Sequence, residues 1–133
     1  MDNSIFTKMK AKPGMTASII SPPPTYPDWG GFTDGQGKKS DFVHLFVSSQ
    51  AEFAQRFENA ADQVASGGLL WVSYPKGSKS QTYDINRDSL WHLVLPLGWH
   101  PVAQVALDDA WSAVRLKRNE PGVEYVHPKN VKA

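Results

Sequence analysis

The residues of this chain best suited to chemistry fall in two short runs. One is Lys76-Gly77-Ser78-Lys79-Ser80 and the other is Asp108-Asp109-Ala110-Trp111. Two ammonium groups, two hydroxyls and free backbone N–H groups can converge on one oxyanion, so the first run has the composition of an anion-holding loop. It is not a phosphate-binding loop of the nucleotide-hydrolase kind. That motif sets Lys and then Ser or Thr directly after a Gly, with another Gly five residues before it, whereas here Ser78 separates Gly77 from Lys79 and Val72 stands in the earlier place. The plain reading of the same residues is solvated loop lysines, with Lys76 and Asp109 as an ion pair between loop and turn. An enzymatic alternative makes Lys76 and Asp109 an acid–base pair.

Other reactive types offer less. There are no cysteines, which removes disulfides, thiolate nucleophiles and Cys-based zinc sites. His44 sits inside the apolar run FVHLFVS and is expected to be a hydrogen-bonded core histidine rather than a general base. His92 and His100 have no partner at metal-ligand spacing, so no metal site is expected, and no Ser-His-Asp arrangement is legible. Trp71, Trp91, Trp99 and Trp111 read as packing residues, and Trp29 as an exposed contact.

The elements that would position these groups follow from periodicity. Residues 16–21 form a short strand pattern cut off by Pro22, Pro23 and Pro24. Residues 42–48 are apolar on both alternating faces, the mark of a strand covered on both sides. Ser49 and Glu52 fit a capping box, with Phe53, Phe57, Ala60, Ala61 and Val64 following at helical spacing and Gly67-Gly68 expected as the stop. A strand over residues 69–74 ends at Pro75, and a helix starts near Asp84 or Asn86 and ends around Gly98. Residues 102–107 and 111–117 form a hairpin about Asp108-Asp109-Ala110. The alternation predicts a single-domain, three-layer, Rossmann-like α/β sheet of about five strands, mostly parallel, with a C-terminal antiparallel hairpin. The domain covers residues 1–118, with a basic leader at 1–13 and a mobile loop at 25–40, and residues 119–133 form an irregular tail. In such a sheet the loops after residues 21, 48, 74 and 107 emerge at one edge, which brings together Ser48, Ser49, Lys76, Ser78, Lys79, Asp108, Asp109 and Trp111 as the candidate ligand-binding set.

Taken together, FVHLFVSSQAEFAQRF, GGLLWVSYPK and DDAWSAVRLK resemble the DUF3052 family of small bacterial proteins, most specifically at Tyr74-Pro75-Lys76 and at Asp109-x-Trp111-Ser112-x-x-Arg115. The resemblance implies a fold without implying an activity. The element order is also similar to the second half of a class I methyltransferase. The residues argue against methyl transfer. Ser21-Pro22-Pro23-Pro24 stands where such enzymes carry a Gly-rich cofactor turn, and Ser48-Ser49-Gln50 stands in place of their catalytic tetrad.

Lys and Arg number 14 against 13 Asp and Glu, a formal net charge of +1 that disfavours non-specific nucleic-acid binding. A patch of Lys8, Lys10, Lys12, Lys38 and Lys39 is the remaining route to it. No apolar run reaches the roughly 20 residues of a membrane span, so the expectation is a cytoplasmic protein without cofactor. Its expected partner is a small anionic ligand or another protein, met at the carboxyl edge of the sheet.

Overall fold

The run that is apolar on both faces becomes the middle of the sheet. In the computed structural model, which describes residues 1–36 and 38–126, strand β3 (Ser40–Phe46) has every residue buried except Asp41. Parallel to it lie β1 (Thr16–Ile20) on one side and β4 (Val64–Pro75) on the other. Beyond β4, β6 (Trp111–Arg118) pairs antiparallel with β4 and with β5 (Trp99–Ala106). A two-residue strand, β2 (Thr33–Asp34), pairs parallel with β1. The order is β2-β1-β3-β4-β6-β5, six strands rather than about five, because the glycine-rich stretch contributes the short outer one.

Two helices cover one face. Helix α2 (Gln50–Gln63) starts at Ser49, whose hydroxyl accepts from the Glu52 N–H, and buries Phe53, Phe57, Ala60 and Ala61. Helix α3 (Arg87–Val94) starts at a capping box of Asn86 and Ser89, then tightens into a 3-10 turn over Leu95–Leu97. Their apolar stripes meet Val43, Leu45, Leu70, Val72, Val114 and Leu116. No helix among the described residues is long and apolar enough to cross a membrane.

The other face corrects two expectations. The basic leader is a short helix, α1 (Ser4–Lys8), whose Ile5 and Phe6, with Met9, are buried against Phe42, Phe46, Leu69 and Trp71. Its lysines project outward from an apolar inner side, so its basic composition hides a core element. The loop over residues 25–40 is held in the same layer. Trp29 is half-buried rather than exposed and stacks on Phe6 at 4.7 Å, while Tyr26 and Phe32 meet Phe6 edge-on. Residues 119–126 hold no helix or strand, and the remainder of the expected irregular tail, 127–133, lies outside the described residues.

The glycine pair also has a different task. Val64 is already extended, so α2 ends before Gly67 and Gly68, which lie inside β4. There the register slips: Ser40 faces Val64 but Phe42 faces Leu69. Gly67 absorbs the bulge with φ 75. A side chain on Gly68 would place its Cβ 2.9 Å from the Ala65 carbonyl oxygen and 3.1 Å from those of Ser40 and Asp41.

Because Phe6 is 1% exposed, Phe6→Ala should cost about 3 to 5 kcal/mol, read as a lower urea midpoint at unchanged slope. A leader outside the core would lose nothing measurable.

Candidate functional site

The sheet order places β2 on one side of β1 and β3 on the other. The crevice between the carboxyl ends of β1 and β3 is therefore the switch point at which open α/β sheets hold ligands. Here it is a hollow of about 140 Å³, bordered by Ser21, Pro23, Ser48, Glu52, Arg56 and Trp111. Ser21 has φ 57, a left-handed conformation that costs a non-glycine residue of order 1 kcal/mol, so backbone strain sits at this point. The Ser48 N–H and hydroxyl donate to the two carboxylate oxygens of Glu52 at 2.9 Å each. Arg56 Nη1 donates to Glu52 Oε1 at 3.0 Å and to the Phe46 carbonyl at 3.4 Å. The Ser48 backbone N–H, helped by the Ser48 hydroxyl and Arg56, holds the Glu52 carboxyl below the usual range against the effect of burial. Trp111 is half-buried and meets Phe46 edge-on at 5.1 Å.

Farther along the edge the expected Lys76–Asp109 ion pair is replaced by a different tether. Lys76 Nζ donates to the backbone carbonyl of Asp108 at 2.6 Å, and the Lys76 N–H donates to the Ala110 carbonyl at 2.8 Å. Asp108 Oδ1 accepts from the Ala110 and Trp111 N–H groups at 2.8 Å each, and Oδ2 faces the Met1 ammonium at 3.3 Å. Burial pushes the Asp108 carboxyl up, yet these donors outweigh it and leave it below the ordinary value. Asp109 is exposed. The Lys76 ammonium is taken by the Asp108 carbonyl and the Asp108 carboxylate by its own turn, so the Asp109 side chain is not part of the tether.

The Lys76 loop borders a shallow, open hollow of about 410 Å³, lined by Gly77, Ser78, Lys79, Thr82, Tyr83 and Asn86. Ser78 curls it: its N–H donates to the Gln81 carbonyl at 2.7 Å and its hydroxyl accepts from the Gln81 N–H at 3.1 Å. The eight candidate residues thus fall into three places. Ser48 and Trp111 share the switch-point crevice, with Ser49 beside it as the helix cap. Lys76, Asp108 and Asp109 meet at the hairpin turn, and Ser78 and Lys79 line the loop hollow. Sequence reasoning passed over Ser21 and Arg56; the four-residue spacing of Glu52 and Arg56 on one helix was the available signal for the second.

Two features lie away from this edge. The largest cavity, about 700 Å³, runs between α2 and α3 over Phe53, Phe57, Leu93, Leu97 and Trp99. Its floor is mainly apolar, and Glu58, Asp62, His92 and Arg118 also border it. His44 is fully buried, with Nε2 2.6 Å from the Ser73 hydroxyl and Nδ1 3.1 Å from the Tyr26 hydroxyl. It is the hydrogen-bonded core histidine expected from its strand. Ser73 is 0% exposed, while Tyr26 at the other end is half-buried and borders a hollow of about 480 Å³. Burial pulls His44 down to about 3 and pushes the Tyr26 phenol up.

With the geometry in view, comparison with known proteins adds the fold. No family model and no curated protein matches the chain. Among solved structures it is similar to LepI in complex with SAM, at 10% identity and a TM-score of 0.52 over 87% of this chain and 39% of that one. It is also similar to DhpI in complex with SAH, at 13% identity and a TM-score of 0.42 over 62% of this chain and 48% of that one. The chain spans less than half the length of either. The likeness to LepI shows a methyltransferase-like, Rossmann-type scaffold.

Trp111→Ala should cost about 1 to 3 kcal/mol, as fits a half-buried ring, and Lys76→Ala at most about 1 kcal/mol, both read as denaturation midpoints. The reverse ranking would make Lys76 the structural member. His44 yields a pH signature. Above its ordinary value of 6.5 both folded and unfolded rings are neutral. Below it the unfolded ring takes a proton that the folded ring refuses down to about 3. Stability should therefore fall as pH falls through that window, by up to about 1.4 kcal/mol per unit. Measured between about pH 6.5 and 5, above most carboxylate titration, His44→Gln should flatten this slope.

Proposed function

We propose that the chain is a non-catalytic α/β domain that holds a small anionic ligand at the carboxyl edge of its sheet, in the hollow of the Lys76 loop. The observation that carries this reading is the composition of that hollow: Lys79 and the hydroxyls of Ser78, Thr82 and Tyr83 border it, and no carboxylate does. Lys76, next to it in the chain, already donates to the Asp108 carbonyl, which leaves Lys79 as the cation of the hollow. At about 410 Å³ the hollow falls within the roughly 300 to 1,000 Å³ typical of small-molecule sites.

The switch-point crevice supports the absence of catalysis with an adenosyl cofactor. Its volume, about 140 Å³, lies below that range. Pro22, Pro23 and Pro24 deny backbone N–H groups to the turn after β1, and Arg56 is already engaged by Glu52. The resemblance to the DUF3052 family rests on sequence patterns alone, most specifically Tyr74-Pro75-Lys76 and the Asp109 to Arg115 pattern.

Thermal-shift screening against sugar phosphates and mononucleotides at constant ionic strength tests the reading. A ligand at ten times its Kd should stabilise the parent by about 1.4 kcal/mol and lose that effect in Lys79→Ala. Saturable one-to-one binding of SAM in calorimetry would overturn it.

A further inference from the structure

The opposite edge of the sheet gathers charge in a way the loop reading does not use. Because β6 runs against β4, its final residues reach the end at which β3 and β4 begin. Lys117 and Arg118 from the end of β6, Arg115 from one turn of its pleat earlier, and Lys39 from just before β3 thus surround one groove. Its floor is the β4 bulge at Ser66 and Gly67, and its volume is about 530 Å³. No carboxylate lines it. In a chain with a net charge of +1, four cations in one concavity is a strong local excess.

None of the four is spent on a carboxylate. The ion pairs among the described residues are Met1 with Asp108, Arg56 with Glu52 and Arg87 with Asp88. Arg115 makes the sharper point. Its Nε is the one buried side-chain nitrogen or oxygen among the described residues without a hydrogen-bond partner. A guanidinium N–H withdrawn from water and left unpaired is disfavoured, and native structures seldom keep one without a reason. Arg118 is set in place by stacking over Trp99, its guanidinium carbon 4.5 Å from the ring centre. A guanidinium held flat on an indole keeps its edge N–H groups available for a planar or tetrahedral oxyanion, at little further loss of side-chain freedom.

We propose that this groove is a second anion site, built for a small molecule carrying a diphosphate group, with Arg115 and Arg118 as its forked donors and Lys39 and Lys117 as rim charges. Arginine forks match the spacing of phosphate oxygens, and four cations match a group that carries more than one charge. The groove is bounded at about 530 Å³, a size that suits a compact ligand better than a polymer backbone.

The test is calorimetry with inorganic pyrophosphate at fixed ionic strength, joined to amide chemical-shift mapping. The parent should bind saturably and one to one, with shifts at Ser66, Gly67 and Lys117. Lys39 and Lys117 are both exposed, so the double variant Lys39→Ala with Lys117→Ala should fold as the parent does and weaken binding by about tenfold or more. Arg115→Met should abolish binding without lowering the urea midpoint, since it removes an unpaired buried donor. Lys79→Ala should leave pyrophosphate affinity within about twofold, which separates this site from the loop hollow. Three outcomes would overturn the proposal: no saturable binding at millimolar pyrophosphate, unchanged affinity in the double variant, or tighter binding of single-stranded oligonucleotides with a salt dependence that steepens with length.

Discussion

A strand buried on both faces has no water to satisfy a polar side chain, and β3 places His44 at its centre. The solution binds the fold together. One ring nitrogen is satisfied by Ser73 on the adjacent β4 and the other by Tyr26 from the loop that follows β1. The ring also stacks on Phe46 at 4.2 Å and faces Phe42 edge-on at 6.0 Å. Neutral imidazole can donate from one nitrogen and accept at the other, so a single buried residue fixes two neighbours without a buried charge. The loop over residues 25–40 is thereby tied to the sheet by a hydrogen bond as well as by its aromatic rings.

The same layer explains how a chain of this length covers both faces of a six-stranded sheet with so little helix. α2 and α3 cover one side in the usual way, by apolar stripes. The other side is closed by α1 and the rings of Tyr26, Trp29 and Phe32, each of which hides more apolar surface than an aliphatic residue would. The proline run after β1 has a part in this. It stops the strand, and its Pro23 borders the switch-point crevice.

Polar groups distribute along the two sheet edges in opposite senses. At the carboxyl edge most are already paired: Glu52 with Ser48 and Arg56, Asp108 with its own turn, and Lys76 with a backbone carbonyl. What stays available there is confined to the loop hollow. At the amino edge the cations are gathered in a groove that no carboxylate lines. Antiparallel β6 is what makes this possible, because it delivers its own final basic residues, Lys117 and Arg118, to the starting ends of the parallel strands.

Much of the architecture was legible in the residues alone. The two-faced apolar run fixed β3 as central, Ser49 with Glu52 announced α2, and Asp108-Asp109-Ala110 announced the hairpin, since burial pattern, capping and turn chemistry are local and are written in neighbouring residues. Three readings failed for one shared reason. The leader's lysines concealed a buried helix, the glycine pair served a bulge instead of a helix stop, and Asp108 took its own turn N–H groups while its backbone carbonyl, not an Asp109 carboxylate, received Lys76. In each case the outcome depended on what another part of the chain brought into contact: the Phe42 face for α1, the offset of β3 against β4 for the glycines, the ending of β4 for Lys76. The sequence by itself determined the central strands, α2, α3, the hairpin and the residues those elements turn inward. Only the tertiary structure decided which polar groups meet, because hydrogen bonds and ion pairs are selected among all groups within a few ångströms in space, and spacing along the chain does not report that distance.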